Sequence, residues 1–178
     1  MHKDCEKILF NERQLKKRIK EVALEVRKKY EGKNPLVVGI LKGSIIFYSD
    51  FVRNLDATAE LDFMAVSSYG SGTVSSGKLK IKKDLDRDVN GRDIIIVEDI
   101  IDSGFTMANL KALLTERGAH SISIVTLLNK KERREYEIEP DYNCFEIGNE
   151  FVIGYGLDFD EKYRTLPYIA VLKRSVYE

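Results

Sequence analysis

Apolar residues follow two different spacings along the chain, and the two alternate. A helical spacing comes first, where Asn11 can act as the N-cap of an amphipathic helix that Gly32 can end. The apolar face of that helix comprises Leu15, Ile19, Val22, Ala23 and Val26. Residues 36–41 then form an almost unbroken apolar run, typical of a strand buried on both faces, and 44–55 return to a helical spacing. This part of the chain therefore predicts a helix, a buried strand and a second helix.

The alternation continues around a segment rich in glycine and serine. Residues 61–68 predict another strand, and 78–83 predict a half-exposed one because Leu79 and Ile81 alternate with lysines. Between them, 69–78 contain three Gly and three Ser in ten positions, a composition typical of a mobile loop.

The clearest unit lies in the middle of the chain. A buried strand at 93–97 is followed by a helical spacing over 106–117, a helix stop at Gly118 and another strand at 121–128. Strand, helix and strand joined by short connections indicate parallel pairing with a right-handed crossover. The expected fold class is therefore α/β, with a mostly parallel central sheet flanked by helices.

The chain length and the tail of the sequence indicate the domain organisation. With 178 residues, the chain is long enough for one domain with a hydrophobic core of its own. After Pro140, aromatic and acidic residues alternate without a clear period. We therefore expect a single domain over 1–178, with a core at roughly 11–140 and a small irregular hood lobe formed by the N-terminus and 141–178.

Composition narrows the classes of partner. The 29 basic and 29 acidic side chains give a formal net charge of zero, which argues against nonspecific binding of nucleic acid. Cys5 and Cys144 stand alone, and only His2 and His120 offer imidazoles, so neither a zinc site nor a disulfide framework is expected. The charged N-terminus and the absence of a long apolar stretch favour a cytoplasmic protein without a membrane partner.

Candidate chemistry is concentrated directly after the strand at 93–97. Glu98, Asp99 and Asp102 precede the run Ser103 to Thr106, which leads into a helix and offers backbone N–H groups and two hydroxyls to a phosphate. Carboxylates beside a phosphate cradle repel the anion unless a cation or a hydroxyl-rich group lies between them. A sugar phosphate with Mg²⁺ fits this arrangement. An ordinary Ser or Thr helix cap beside a solvated acidic loop accounts for single residues here, but poorly for the cluster.

Residues 97–106, VEDIIDSGFT, resemble the phosphoribosyl-pyrophosphate signature of type I phosphoribosyltransferases. Four further motifs, in the order of that family, resemble the hypoxanthine-guanine phosphoribosyltransferases. These motifs are Leu41-Lys42-Gly43, Ser67-Ser68-Tyr69-Gly70, Leu127-Leu128-Asn129-Lys130 and the segment from Phe151 to Arg164. The resemblance runs along nearly the whole chain.

The resemblance implies an activity and partners. The expected reaction is the Mg²⁺-dependent transfer of 5-phosphoribose from phosphoribosyl pyrophosphate to N9 of hypoxanthine or guanine, which gives IMP or GMP in purine salvage. Because members of the family form dimers and tetramers, the resemblance also implies a homodimer or homotetramer.

The resemblance also implies roles for individual acids. Glu98 and Asp99 would lie by the ribose hydroxyls and the metal, and Asp158 would serve a second Mg²⁺ through water. Asp102 would face purine N7 as the general acid/base. The remaining residues implied to bind phosphoribosyl pyrophosphate are Ser103, Gly104, Phe105 and Thr106 at the 5′-phosphate, and Lys42, Gly43 and Arg164 at the pyrophosphate.

For the purine, the resemblance implies three contacts and a mobile loop that closes over the site. Lys130 would hydrogen-bond the 6-oxo group, Phe151 would stack on the base and the Val152 backbone would meet the ring edge. Ser68 and Tyr69 would begin the mobile loop that closes over the site.

Simpler interpretations stand beside these roles. Lys130 begins a charged run typical of a solvated face, Phe151 at a strand start is more often a core residue, and Asp158 with Arg164 can be a surface ion pair. A competing hypothesis of another class is a nucleic-acid-binding regulator that uses this fold to sense an effector. Phe105 and Ser44 also depart from some members of the family, at positions near the phosphates.

Overall fold

The buried apolar runs form a six-stranded central sheet in the computed structural model, which describes residues 1–55, 58–68 and 79–178. The strands, in chain order, are β1 Cys5–Phe10, β2 Leu36–Leu41, β3 Glu60–Ser68, β4 Leu79–Lys83, β5 Asp93–Ile101, β6 Ser121–Asn129, β7 Tyr142–Glu146, β8 Val152–Ile153 and β9 Ile169–Leu172. The helices are α1 Glu12–Lys29, α2 Ile45–Leu55, α3 Phe105–Glu116 and α4 Arg174–Tyr177, with a 3-10 turn at Lys131–Arg133.

The central sheet has the order β4-β3-β2-β5-β6-β7. Strands β3, β2, β5, β6 and β7 pair in parallel, whereas β4 lies antiparallel to β3 at the edge. The expectation of an α/β fold with a mostly parallel sheet is confirmed.

Helices cover both faces of this sheet. On one face, α1 and α2 bury their apolar sides against alternate strand residues such as Val37, Ile95 and Val125. On the other face, α3 packs on the residues between them, such as Val38 and Ile96. Alternate side chains of each strand are therefore buried on opposite faces, which explains the continuous apolar runs in the sequence.

The first helix follows its sequence signals closely. The Asn11 side chain accepts a hydrogen bond from the Gln14 backbone N–H, and the Gln14 side chain accepts one from the Asn11 N–H, both at 3.0 Å. This reciprocal capping box satisfies two backbone donors that the helix start would otherwise leave free.

A second, smaller sheet forms the hood. It has the order β1-β9-β8, with antiparallel pairs that bring the two ends of the chain together. The core extends further along the chain than the expected boundary near 140, because β7 joins the central sheet in parallel with β6. The buried Cys144 on β7 packs into the core, so the hood lobe begins after this strand.

Candidate active site

The strand order creates a crevice at the carboxyl ends of β2 and β5. The chain passes from β2 through α2 to β3 on one side, and β5 lies on the other side of β2, with its helix α3 on the opposite face of the sheet. The β2–β5 register runs from Leu36↔Ile94 to Gly39↔Val97, while both strands continue beyond it. Diverging strands at a topological switch point leave room for a ligand.

A cavity of about 380 Å³ occupies this crevice. Its walls come from the end of β2 and Gly43, from Val66 and Ser67 on β3, and from the continuous run 98–107. The volume lies within the range of small-molecule sites. The structure thus brings the acids, the helix start and the loop after β2 around one space.

Glu98 and Asp99 lie at the end of β5 rather than in a loop. The predicted strand ended at 97, but pairing with β6 continues through Glu98↔Thr126 and Ile101↔Asn129. The strand ladder therefore fixes the backbone of the two acids.

Glu98 is a buried acid, and burial disfavours the charged form of its carboxyl group. Its side chain belongs to a residue that is only 8% exposed, and its Oε2 has no hydrogen-bond partner within the described part of the chain. Burial, together with the neighbouring carboxylate of Asp99, raises the pKa of Glu98 well above its usual range. A bound cation would pair with the free oxygen and would offset the charge of the two neighbouring carboxylates.

Two glycines shape the loop after β2. The peptide bond between Leu41 and Lys42 is cis. A side chain on Gly43 would collide with the Asp99 carboxylate, and one on Gly156, whose φ is +105°, would collide with the Gly43 carbonyl. The backbone at Gly43 is therefore packed between the acid pair and the hood.

Residues 102–106 form the turn that starts α3. Gly104 has φ +86°, and a side chain there would meet Ile138 and Arg134. The Ser103 hydroxyl accepts a hydrogen bond of 3.3 Å from the Phe105 N–H, and the Phe105 ring meets Tyr136 edge-on. The helix begins at Phe105, one residue before the predicted start, and its first N–H groups border the cavity together with Thr106.

The carboxylate of Asp102 has one paired and one unpaired oxygen. Its Oδ2 lies 3.4 Å from Nη1 of Arg133, whereas its buried Oδ1 has no partner among the residues that the structure describes. Arg134 contacts the backbone of the same residue, because its Nε donates a hydrogen bond to the Asp102 carbonyl at 3.1 Å. Oδ1 is therefore available to a ligand.

Lys42 and Arg164 meet around one acid of the hood. Lys42 Nζ lies 3.0 Å from Glu161 Oε2, and this contact lowers the pKa of the Glu161 carboxyl. Arg164 Nη2 lies 3.4 Å from the same oxygen and 2.9 Å from Asp158 Oδ1. The ion pair between Asp158 and Arg164 that the simpler interpretation expected is thus present.

The Arg164 guanidinium also retains an unused donor. Its Nη1 donates to the Gly156 carbonyl at 2.8 Å, but its buried Nε has no acceptor in the segments 1–55, 58–68 and 79–178. An anion at this position would satisfy that donor.

Lys130 is buried rather than solvated. The residue is 7% exposed, and its backbone N–H donates to the Ile101 carbonyl at 2.9 Å. Burial lowers the pKa of the ammonium group, and the charge of Asp102 opposes that shift. The simpler interpretation of a solvated lysine is therefore wrong, although the next residue, Lys131, is exposed and pairs with Glu146.

Phe151 directly precedes β8, and Val152 is the first residue of that strand. Phe151 is 37% exposed, so it is not a core residue, whereas Val152 is buried and pairs with Val171 on β9. The described lining of the cavity includes neither Phe151 nor Lys130. Ser68 ends β3, and Tyr69 lies outside the described residues.

Sequence reasoning missed three charged residues at this site. Arg133, Arg134 and Glu161 all contact residues assigned to the site, yet each stands in a run of charged residues that is typical of a solvated surface. The spacing of charges along a loop carries no signal for such contacts.

The chain matches a family model and curated relatives. A model described as "Phosphoribosyl transferase domain" matches residues 7–160. The hypoxanthine-guanine phosphoribosyltransferase of Bacillus subtilis is 51% identical over 178 residues, which cover all of this chain and 99% of that protein. The bifunctional protein TilS/HprT of Listeria monocytogenes is 52% identical over 177 residues, and the chain spans 27% of its length.

A solved structure agrees with these matches. The hypoxanthine phosphoribosyltransferase of Staphylococcus aureus superposes with a TM-score of 0.96 at 44% identity, over 100% of this chain and 97% of that one.

The buried acid pair generates a prediction about stability. With divalent ions chelated, Glu98→Gln should raise the melting temperature at neutral pH by about 2–4 °C, because the amide removes a buried charge beside Asp99. Since folding raises the pKa of Glu98, the destabilisation by this acid is complete above the raised value, declines as the pH falls below it and is absent below the usual glutamate pKa. The gain should therefore shrink as the pH falls toward the usual glutamate range.

Differential scanning calorimetry at several pH values measures this effect. Exposed Glu6→Gln is the control and should leave the melting temperature within about 1 °C. A Glu98→Gln protein that melts below the parent at neutral pH would contradict the account of this acid.

Proposed function

The chain belongs to the phosphoribosyltransferase family, and from this premise we propose that it is an enzyme of purine salvage. It transfers 5-phosphoribose from phosphoribosyl pyrophosphate to N9 of hypoxanthine or guanine and releases IMP or GMP with pyrophosphate. The observation that carries this proposal is the crevice between β2 and β5, where an acid pair, a helix start and the backbone of the loop at Gly43 surround one cavity. This combination suits a substrate with a phosphate, a sugar and a leaving pyrophosphate.

The phosphate end of the substrate binds at the start of α3. Backbone N–H groups and the hydroxyls of Ser103 and Thr106 provide donors, and the helix dipole favours an anion there. Gly104 lets the backbone turn into the helix without a side chain that would fill the turn. This contact fixes the sugar relative to the acids at the end of β5.

The charges that develop during the reaction account for the charges of the residues assigned to the site. When the bond to pyrophosphate breaks, positive charge develops on the sugar and negative charge on the leaving group. Glu98 and Asp99 therefore belong beside the sugar, and Lys42 and Arg164 belong beside the pyrophosphate. The unused Nε of Arg164 supports this assignment, because pyrophosphate oxygens are the acceptors that it lacks.

Asp102 acts as the general acid/base at the purine. Its unpaired Oδ1 supports that role, because an ionised carboxylate with a free oxygen can take the proton of N7 as the bond to N9 forms. Arg133 and Arg134 keep the residue in place from the other side.

The acid pair fits Mg²⁺ as cofactor. The unpartnered oxygen of Glu98 and the raised pKa of its carboxyl are features that a hard divalent cation would relieve. Glu98 and Asp99 would hold it through the ribose hydroxyls and water, and Asp158 would serve a second ion through water. Bound Mg²⁺ neutralises charge on the pyrophosphate.

Lys130 and Phe151 recognise the base. A buried ammonium beside Asp102 donates to the 6-oxo group, and a half-exposed aromatic ring offers a stacking surface. Adenine has an amino donor where Lys130 needs an acceptor, so the site discriminates against it. The backbone of Val152 meets the ring edge.

Three further points concern the cellular location, the oligomeric state and the competing hypothesis. No helix in the described part of the chain has the length and apolar character to cross a bilayer. Cys5 and Cys144 are free and buried, which supports a reducing cytoplasmic location. A homodimer or homotetramer remains a prediction from the family. The family model and the relatives support the transferase and lend no support to a nucleic-acid-binding regulator.

The activity itself is tested with a panel of bases. The protein, phosphoribosyl pyrophosphate and Mg²⁺ are mixed with hypoxanthine, guanine, xanthine or adenine, and nucleotide formation is followed by ultraviolet absorbance and chromatography. Hypoxanthine and guanine should turn over, and adenine should not. Absence of turnover with every base would overturn the proposed enzyme.

The role of Asp102 predicts a loss of rate with retained binding. Asp102→Asn keeps the shape of the side chain and removes the proton acceptor, so kcat should fall by about 10²–10⁴. Calorimetric titration with phosphoribosyl pyrophosphate should give a Kd within about threefold of the parent. Asp88→Asn, at an exposed acid, is the control. Unchanged kcat in the Asp102 variant would remove this residue from catalysis.

The role of Lys130 predicts a change in purine affinity. Lys130→Ala should raise the KM for hypoxanthine about tenfold or more, because a charged donor to the base is lost. The KM for phosphoribosyl pyrophosphate should stay nearly constant. Lys131→Ala is a matched control, since Lys131 is the adjacent lysine and faces solvent with Glu146. If both variants behave alike, Lys130 does not recognise the base.

A further inference from the structure

The Phe151 ring has an aromatic partner at the C-terminal end of the chain. Tyr177 on α4 stacks against it with ring centroids 5.0 Å apart and an angle of 25° between the planes. Phe159 meets the same ring edge-on at 5.6 Å and 87°, and lies 6.4 Å from Tyr177. The three rings form an aromatic cluster on the hood.

The position of Tyr177 shows which side of Phe151 is covered. Tyr177 and Phe159 both pack against the apolar cluster of the hood, around the buried Ile153 and Leu172. Phe151 is still 37% exposed, so these contacts do not enclose the residue. A flat ring has two faces, and Tyr177 stacks on one of them, so a ligand would stack on the other.

The C-terminal segment is tied to the start of the chain. The Lys173 backbone N–H donates to the Asp4 carbonyl at 2.9 Å, and Lys173 Nζ donates to the Lys3 carbonyl at 2.7 Å. Val176, next to Tyr177, packs against the hood cluster. The tyrosine ring therefore rests on an anchored segment.

We propose that Tyr177 is a positioning residue for purine recognition, which holds the Phe151 ring in the orientation that a base requires. This inference rests on the proposed function, in which Phe151 stacks on the purine. A half-exposed phenyl ring without a backing partner can rotate about its side-chain torsions, and the base then has to order it upon binding. A stacked and edge-packed ring is already ordered, so binding does not carry that cost.

The proposal is tested with substitutions that separate the ring from the hydroxyl. Tyr177→Ala should raise the KM for hypoxanthine and guanine about three- to tenfold, the effect expected from one lost aromatic stack. The KM for phosphoribosyl pyrophosphate should change by less than about twofold, because the 5′-phosphate cradle lies at the start of α3 and Arg164 is held by Gly156, Asp158 and Glu161 rather than by Tyr177. Tyr177→Phe keeps the stack and should restore the purine KM, whereas Tyr177→Leu should not.

A neighbouring substitution controls for loosening of the tail. Val176→Ala removes apolar contact from the same helix and keeps all three aromatic side chains, so it should leave the purine KM unchanged. Calorimetric titration with IMP gives a second measurement. The Kd of the Tyr177→Ala protein for IMP should rise together with its KM for the purine.

The outcomes distinguish this inference from the activity on which it rests. With an active parent protein, three results for Tyr177→Ala would overturn the inference alone. The first is an unchanged KM for the purine. The second is a lowered purine KM, which would mean that Tyr177 covers the ring face on which the base stacks. The third is an equal rise in KM for the purine and for phosphoribosyl pyrophosphate. An inactive parent would overturn the proposed function and the inference with it.

Discussion

The parallel pairing of β2 with β5, and its end at Gly39↔Val97, is the constraint on which the site depends. Up to that pair the two strands are held in register, and beyond it each pairs only with its outer neighbour, β2 with β3 and β5 with β6. The end of β5 carries the acids and leads into α3, and the end of β2 leads into the loop at Gly43. Because the helices that follow these strands pack on opposite faces, neither closes the opening.

The site concentrates charge at a cost to the fold. Glu98 is buried, with a raised pKa and an oxygen without a partner in the described structure, and the buried Nε of Arg164 likewise lacks an acceptor there. Unsatisfied buried polar groups are rare in folded proteins, and they concentrate where a ligand completes them. Although the net charge of the chain is zero, acids are grouped at the end of β5, and the cations Lys42 and Arg164 are grouped around Glu161.

Much of the core could be predicted from the sequence, because strands buried on both faces and a capped amphipathic helix leave strong local patterns. The acids at 98 and 99 could be found from their position after a buried run, although the strand reaches Ile101. The membership of β7 in the core could not be predicted, since it depends on pairing with β6. The contacts of Arg133 and Arg134 with Asp102 were missed for the same reason, because they join segments about thirty residues apart.

The most direct test of the account is a crystal structure of the protein with IMP. The central claim is that the crevice between β2 and β5 holds the phosphoribosyl group. The account predicts the phosphate of IMP within hydrogen-bond distance of the backbone N–H groups at 104–106, with the ribose beside Glu98 and Asp99 and the base on the free face of Phe151. A nucleotide bound in the cavity beside Arg27 and Tyr30, with the crevice empty, would contradict it.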